Sequence, residues 1–131
     1  MLKHLLSRFL NKVSKKTDVR KDGHWKEFNK QGILISEGQY TKGVRHGLWK
    51  LYYETGELVI EETYVNGQMD GSFKSFYKNG QLISEGYYKN SMRDGDFTIF
   101  DQTGLAVKTM RFKQDMLIEE IELSTKEVVI Q

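Results

Sequence analysis

The chain has 131 residues, 20 Lys and Arg against 18 Asp and Glu, and no cysteine. That length suits one domain with a moderate core, and the missing thiols exclude disulfides, thiolate metal sites and a cysteine nucleophile. The net charge of +2 is too small to imply nucleic acid, yet it is unevenly spread: residues 1–22 carry seven Lys or Arg against two Asp, a local +5, which leaves −3 for residues 23–131.

Residues 1–16 place Leu2, Leu5, Leu6, Phe9, Leu10 and Val13 on one stripe at helical spacing, with Lys3, Arg8 and Lys12 mostly elsewhere. The spacing predicts an amphipathic basic helix that packs on its own sheet or on an anionic membrane surface. Arg8 interrupts the apolar region that a secretory signal needs. No other stretch reaches the roughly 18 apolar residues of a membrane span. Residues 17–22 read as a charged connector.

From Gly23 the sequence repeats every 24 residues. Gly23, Gly47, Gly71 and Gly95 recur in step with Trp25, Trp49, Phe73 and Phe97, with Phe28, Tyr52, Phe76 and Phe100, and with Gly32, Gly56, Gly80 and Gly104. A second half follows with Leu34, Leu58 and Leu82, with Glu37, Glu61 and Glu85, and with Tyr40, Tyr64, Tyr88 and Phe112. Within each copy the apolar positions alternate with a period near two, and glycines punctuate them, so residues 23–118 read as four β-hairpins. A tight turn is expected at Gln31-Gly32, Thr55-Gly56, Asn79-Gly80 and Thr103-Gly104, and wider turns where copies join, from Lys42-Gly43 to His46-Gly47 and equivalents.

A two-residue tight turn sets a register. Lys26 faces Glu37, Lys50 faces Glu61, Lys74 faces Glu85, and Thr98 faces Thr109. The same register puts a ring over a glycine at Trp25–Gly38 and Phe73–Gly86, and sets Phe28, Tyr52, Phe76 and Phe100 opposite Ile35, Val59, Ile83 and Val107. A three-residue turn with a G1 bulge would shift the pairing by one. Opposite parity of the two ring positions puts rings on both faces, as in a thin twisted ribbon of eight strands roughly 38 Å across, open or curled. In the second copy Leu51 and Ile60 stand where neighbours carry polar residues, an apolar patch that the leading helix or a second copy of the chain is expected to cover. Residues 119–131 lose the glycines and are expected to add one or two capping strands, with Glu119, Glu120 and Glu122 discouraging further pairing.

Tyr40, Gly43, Gly47, Trp49, Tyr52, Gly56 and Leu58 together form a pattern that resembles the MORN repeat, and more closely the variant repeat of the bacterial YwqK-family antitoxins. The resemblance covers residues 23–115, with departures at Ser91, Asp115 and Thr109. It implies a mostly β antiparallel meander of hairpin repeats behind one N-terminal helix, and a binding role without a catalytic residue. Antitoxin or immunity activity against a partner toxin, in the cytoplasm or at the inner membrane's inner face, is what that likeness implies.

Chemistry is otherwise sparse. His4, His24 and His46 are scattered rather than clustered like metal ligands. Glu37, Glu61 and Glu85 lie two strands apart, about 9.5 Å, with Lys partners that favour a structural role. No Gly-Lys-Ser/Thr follows Gly38, Gly43 and Gly47, so they form no phosphate loop. Neither an enzyme nor a cofactor or metal is expected. The expected partner is a protein that docks on Tyr53 and Tyr77, flanked by Lys50, Lys74 and Lys78, with Leu51 and Ile60 nearby. The alternative is a membrane scaffold acting through Leu2, Leu5, Leu6, Phe9 and Val13. Self-association through the sheet edge or the Leu51/Ile60 patch is a third reading; nucleic acid is disfavoured by the acidic repeats.

Overall fold

The computed structural model describes residues 21–123. Within them the chain is one antiparallel sheet of ten strands: β1 (Gly23–Phe28), β2 (Leu34–Thr41), β3 (Val44–Tyr52), β4 (Leu58–Val65), β5 (Gln68–Phe76), β6 (Leu82–Lys89), β7 (Met92–Arg93), β8 (Gly95–Phe100), β9 (Ala106–Lys113) and β10 (Met116–Glu122). Spatial order follows chain order, with β7 pairing β6 and β8 continuing the path. The expected meander is therefore present, and β10 follows the fourth hairpin from Met116, ahead of the 119–131 segment read as capping. The helix expected over 1–16, most of the 17–22 connector and the tail beyond Leu123, Val128 to Ile130 included, lie outside the described residues.

The two turn classes are the reverse of the expectation. The tight turns are those joining copies: Thr41 pairs with Val44 across Lys42-Gly43, and Val65 with Gln68 across Asn66-Gly67. Both central residues have positive φ, 51° and 82° in the first case, as a type I′ turn requires. Each turn is tied to the previous copy, because Gly43, Gly67, Ser91 and Asp115 donate their N–H groups to the carbonyls of Lys21, Arg45, Met69 and Arg93 at 2.8–3.0 Å. The X-Gly sites lie instead in longer loops. Gly32 N–H donates to Asn29 C=O, and Asn29 N–H to Ile33 C=O, which is a three-residue turn closed by a G1 bulge.

The sequence weighed two registers for the hairpin, and each governs one end. Next to the loop Phe28 pairs with Leu34, Tyr52 with Leu58, Phe76 with Leu82 and Phe100 with Ala106. The expected partners Ile35, Val59, Ile83 and Val107 are instead the extra residues of a second bulge, which absorbs the one-residue shift. Beyond it the expected pairs hold: Lys26–Glu37, Lys50–Glu61, Lys74–Glu85, Thr98–Thr109, Trp25–Gly38 and Phe73–Gly86.

A larger slip occurs between copies. Lys50 pairs with Glu37 but His46 with Gln39, so Gly47, Leu48 and Trp49 stand opposite Gly38 alone. The crowding folds the indole of Trp49 onto the Gly38 backbone, and Phe97 lies on Gly86 in the same way. The ring above each glycine thus comes from the following copy, not from Trp25 or Phe73 as the pairing suggested. Among the described residues, Trp49, Phe97 and Phe112 are the buried apolar side chains, with Trp49 fully enclosed. Burying a ring such as Phe97 contributes about 1.5–3 kcal/mol.

Candidate functional site

Alternation along the strands separates two faces. On the first, Trp25, Tyr40, Trp49 and Tyr64 stack edge to face with centroids 5.0–6.5 Å apart, and Phe73, Tyr88, Phe97 and Phe112 continue the ladder at 5.5–6.1 Å. Such pairs contribute about 0.5–1.5 kcal/mol beyond area burial. Cations cover the rings at 24-residue intervals. Lys21 lies over Trp25 and Tyr40, Arg45 over Trp49 at 4.2 Å, and Arg93 over Phe112 at 4.1 Å. Met69 holds the equivalent place in the third copy.

Beneath this ladder Glu62 occupies the position held by Gly38 and Gly86, and it is buried. Tyr64 Oη donates to Glu62 Oε1 at 2.8 Å, and Arg45 Nη1 donates to Tyr64 Oη at 3.3 Å. Arg45 Nη1 also lies 3.9 Å from the Glu62 carboxylate. Burial, and then the Glu62 hydrogen bond and charge, push the Tyr64 phenol above its usual pKa. The group is a polar knot in which Arg45, Tyr64 and Glu62 satisfy one another.

The second face carries Lys26, Glu37, Lys50, Glu61, Lys74 and Glu85 across six adjacent strands. Although these residues stand in register, no Lys–Glu ion pair within 4 Å closes among them in the described residues; His24 approaches Glu37 at 3.7 Å. Besides Arg45–Glu62, pairs close toward the C-terminal strands, where Arg111 holds Asp96 and Glu119, Lys108 holds Glu120 and Glu122, and Arg93 holds Asp115. Beside the end of the open row, Ser72, Lys74, Glu85, Tyr87, Asp96 and Thr98 line a shallow depression of about 310 Å³.

The residues named from the sequence fall in three places. Lys50 and Lys74 belong to the open charge row. Leu51 pairs with Ile60 on the ring face, where both are half-buried between Ser36 and Ser75. Tyr53 and Tyr77 sit in the hairpin loops and are half-buried rather than exposed: their hydroxyls donate to the carbonyls of Phe76 at 3.0 Å and Phe100 at 3.2 Å, tying each loop to the next. Lys78 covers the Tyr53 ring at 5.4 Å, and an open groove of about 370 Å³ runs past Tyr53, Tyr77, Lys78, Asn79 and Gln102.

Sequence reasoning missed the cation row and Glu62. The signal was present, since Lys21, Arg45 and Arg93 keep the 24-residue spacing and Glu62 interrupts a glycine position.

The model of the MORN repeat variant family matches residues 21–42, 45–66 and 69–90, 66 residues of the 131. The chain belongs to the MORN repeat variant family. Each matched MORN block begins at the same repeat position, Lys21 and Arg45 over the rings and Met69 in the third copy, and ends on the first residue of a tight turn. The fourth copy, which lacks glycine at positions 91 and 115, falls outside the matched MORN blocks. MORN repeats are in general protein- or membrane-binding modules. No curated protein matches the chain.

Proposed function

We propose that the chain is a non-catalytic docking module whose charged sheet face receives a protein partner. The observation that carries this reading is the open row from Lys26 to Glu85, six alternating charges one strand apart with no ion pair closed among them. Charges so arranged orient a partner and reject wrong ones more than they add raw affinity. A sheet held by ladder bonds, ring stacking and loop ties loses little freedom on docking, which keeps the cost of association low. The Tyr53 and Tyr77 groove at the loop margin extends the contact. In the narrower form of this reading the partner is a toxin that the chain neutralises, as the likeness to YwqK-family antitoxins implies.

The test is to capture partners from the native cells with the tagged full chain, purify the partner, and titrate it calorimetrically. The native chain binds, and Lys50→Glu with Lys74→Glu weakens binding by about tenfold and alters its salt dependence. Co-expression with the native chain relieves growth arrest caused by the partner if it is a toxin. Unchanged affinity in the double variant would remove the charged face from the account, and binding to anionic vesicles without any protein partner would replace it.

A further inference from the structure

The charge-row face carries a second periodic row beside the first. Two residues beyond Lys26, Lys50, Lys74 and Thr98 stand Phe28, Tyr52, Phe76 and Phe100, which strand alternation puts on the same face. They pair with Leu34, Leu58, Leu82 and Ala106 on the next strand. Phe28 is 56% exposed, and the other three rings are half-buried. Strand contacts run between neighbours within the one sheet, so no second layer covers these rings among the described residues. Successive rings stand two strands apart, about 9.5 Å.

We propose that this row seats an acidic, proline-rich segment of the protein partner in the polyproline II form. The inference rests on the docking reading above and names the partner's chemistry. Ring spacing selects the backbone. An α-helix covers about 9.5 Å in roughly six residues, which is not a whole number of turns, so its anchors rotate off the row. A β-strand needs about three residues, an odd number that turns alternate anchors away from the sheet. Polyproline II advances about 9.3 Å in three residues and one full turn, so every third side chain meets a ring. Having no internal hydrogen bonds, it also follows the row as the sheet twists. Charge selects the residues beside the prolines. Glu37 is approached by His24 at 3.7 Å. Burial, and then the Glu37 charge, push the Tyr52 phenol above its usual pKa. Lys26, Lys50 and Lys74, by contrast, have no carboxylate within 4 Å and no ring in cation–π reach among the described residues. Each stands beside a ring, where an acidic residue next to a proline completes the charge pairing.

The probe is a peptide of four Pro-Ala-Glu repeats, titrated into the isotope-labelled full chain and followed by amide NMR shifts. Amides flanking Tyr52 and Phe76 shift and saturate. A permutation of the same residues that breaks the three-residue proline period binds about tenfold more weakly or worse, and so does the original peptide with Phe76→Ala or with Lys50→Glu and Lys74→Glu. The permuted peptide meets the native chain, so that comparison stands even where a variant misfolds. Equal binding of the permuted peptide, equal or tighter binding of Pro-Ala-Lys repeats, or no binding overturns the proposal. Shifts at these amides that grow with protein concentration alone also overturn it, in favour of a second copy. A captured partner that needs Lys50 and Lys74 but is not displaced by the peptide overturns this inference alone; one that ignores both lysines removes the docking face as well.

Discussion

The indole of Trp49 lies on the backbone of Gly38, so close that a methyl group at residue 38 would overlap ring atoms Cδ2 and Cε2. Phe97 repeats the contact over Gly86, where the added carbon would sit 2.5 Å from Cδ1. In an ordinary strand, replacing glycine by alanine stabilises through the unfolded state; here the sign reverses. Gly38→Ala and Gly86→Ala are each expected to cost about 1–3 kcal/mol through overpacking. An unchanged or raised urea midpoint in either variant would contradict this contact.

Arg45 holds the Glu62 knot together and covers the Trp49 ring. Arg45→Met leaves the buried Glu62 carboxylate with Tyr64 as its donor and is expected to cost about 1.5–3 kcal/mol. Adding Glu62→Gly, which restores the residue found in the first and third copies, removes the stranded charge and should recover part of the loss. Additive losses in the double-mutant cycle would show that Arg45 and Glu62 do not interact.

Ser91 occupies the second place of a type I′ turn with φ of 64°, where the two preceding copies carry glycine. A side chain in that backbone region is disfavoured by roughly 1–2 kcal/mol. Ser91→Gly is expected to stabilise by about 0.5–1 kcal/mol, the Ser91 Oγ contact from Met69 N–H offsetting part of the relief. A lowered thermal midpoint would mean that this contact outweighs the strain.

The loop ties from Tyr53 and Tyr77 predict that Tyr53→Phe and Tyr77→Phe each cost about 0.5–1.5 kcal/mol, the net value of one hydrogen bond. Denaturant unfolding measures it. Two variants as stable as the native chain would leave both phenols free for a partner and dispense with the ties.

Acid should weaken the C-terminal strands first. The hydrogen bond from Arg93 holds Asp115 below its usual value, and those from Arg111 and Thr103 do the same for Asp96 and Asp101. A carboxylate whose folded pKa is depressed stabilises fully above its unfolded value, near 3.9, and loses that contribution as pH falls through the folded one. The thermal midpoint should therefore hold down to about pH 4 and drop below it. Asp115→Asn should lower the midpoint at pH 7 and flatten the acid limb, so that the two curves converge. Parallel curves would contradict the Arg93–Asp115 link.

Much of this was legible because strand side chains alternate strictly. Once the 24-residue period fixed the copies, parity alone placed Lys50 opposite Glu61 and separated Trp49 from Tyr52. The bulges were not legible, since Ile35 and Val59 look like ordinary strand residues and nothing local marks them as extra. The turn classes were reversed for a related reason: glycine at positions 32 and 56 advertises a turn, whereas Lys42 and Asn66 adopt positive φ under the pairing of the strands they join. Tyr53 and Tyr77 read as exposed because parity says nothing about a loop side chain that reaches the next copy. Glu62 was passed over because an acidic residue in a polar strand reads as solvated until Arg45 and Tyr64 are seen to enclose it.

The placement of the Trp49–Phe112 ring ladder and of the Lys26–Glu85 row on opposite faces is tested most directly by proton NMR of the full chain. The α-protons of Gly38 and Gly86, under the Trp49 and Phe97 rings, should resonate far upfield of ordinary glycine. Backbone Overhauser contacts should link Lys50 to both Glu37 and Glu61, and Tyr52 to Leu58. Glycine shifts at ordinary values, with Tyr52 contacting Val59 instead, would contradict the bulged register on which the two faces depend.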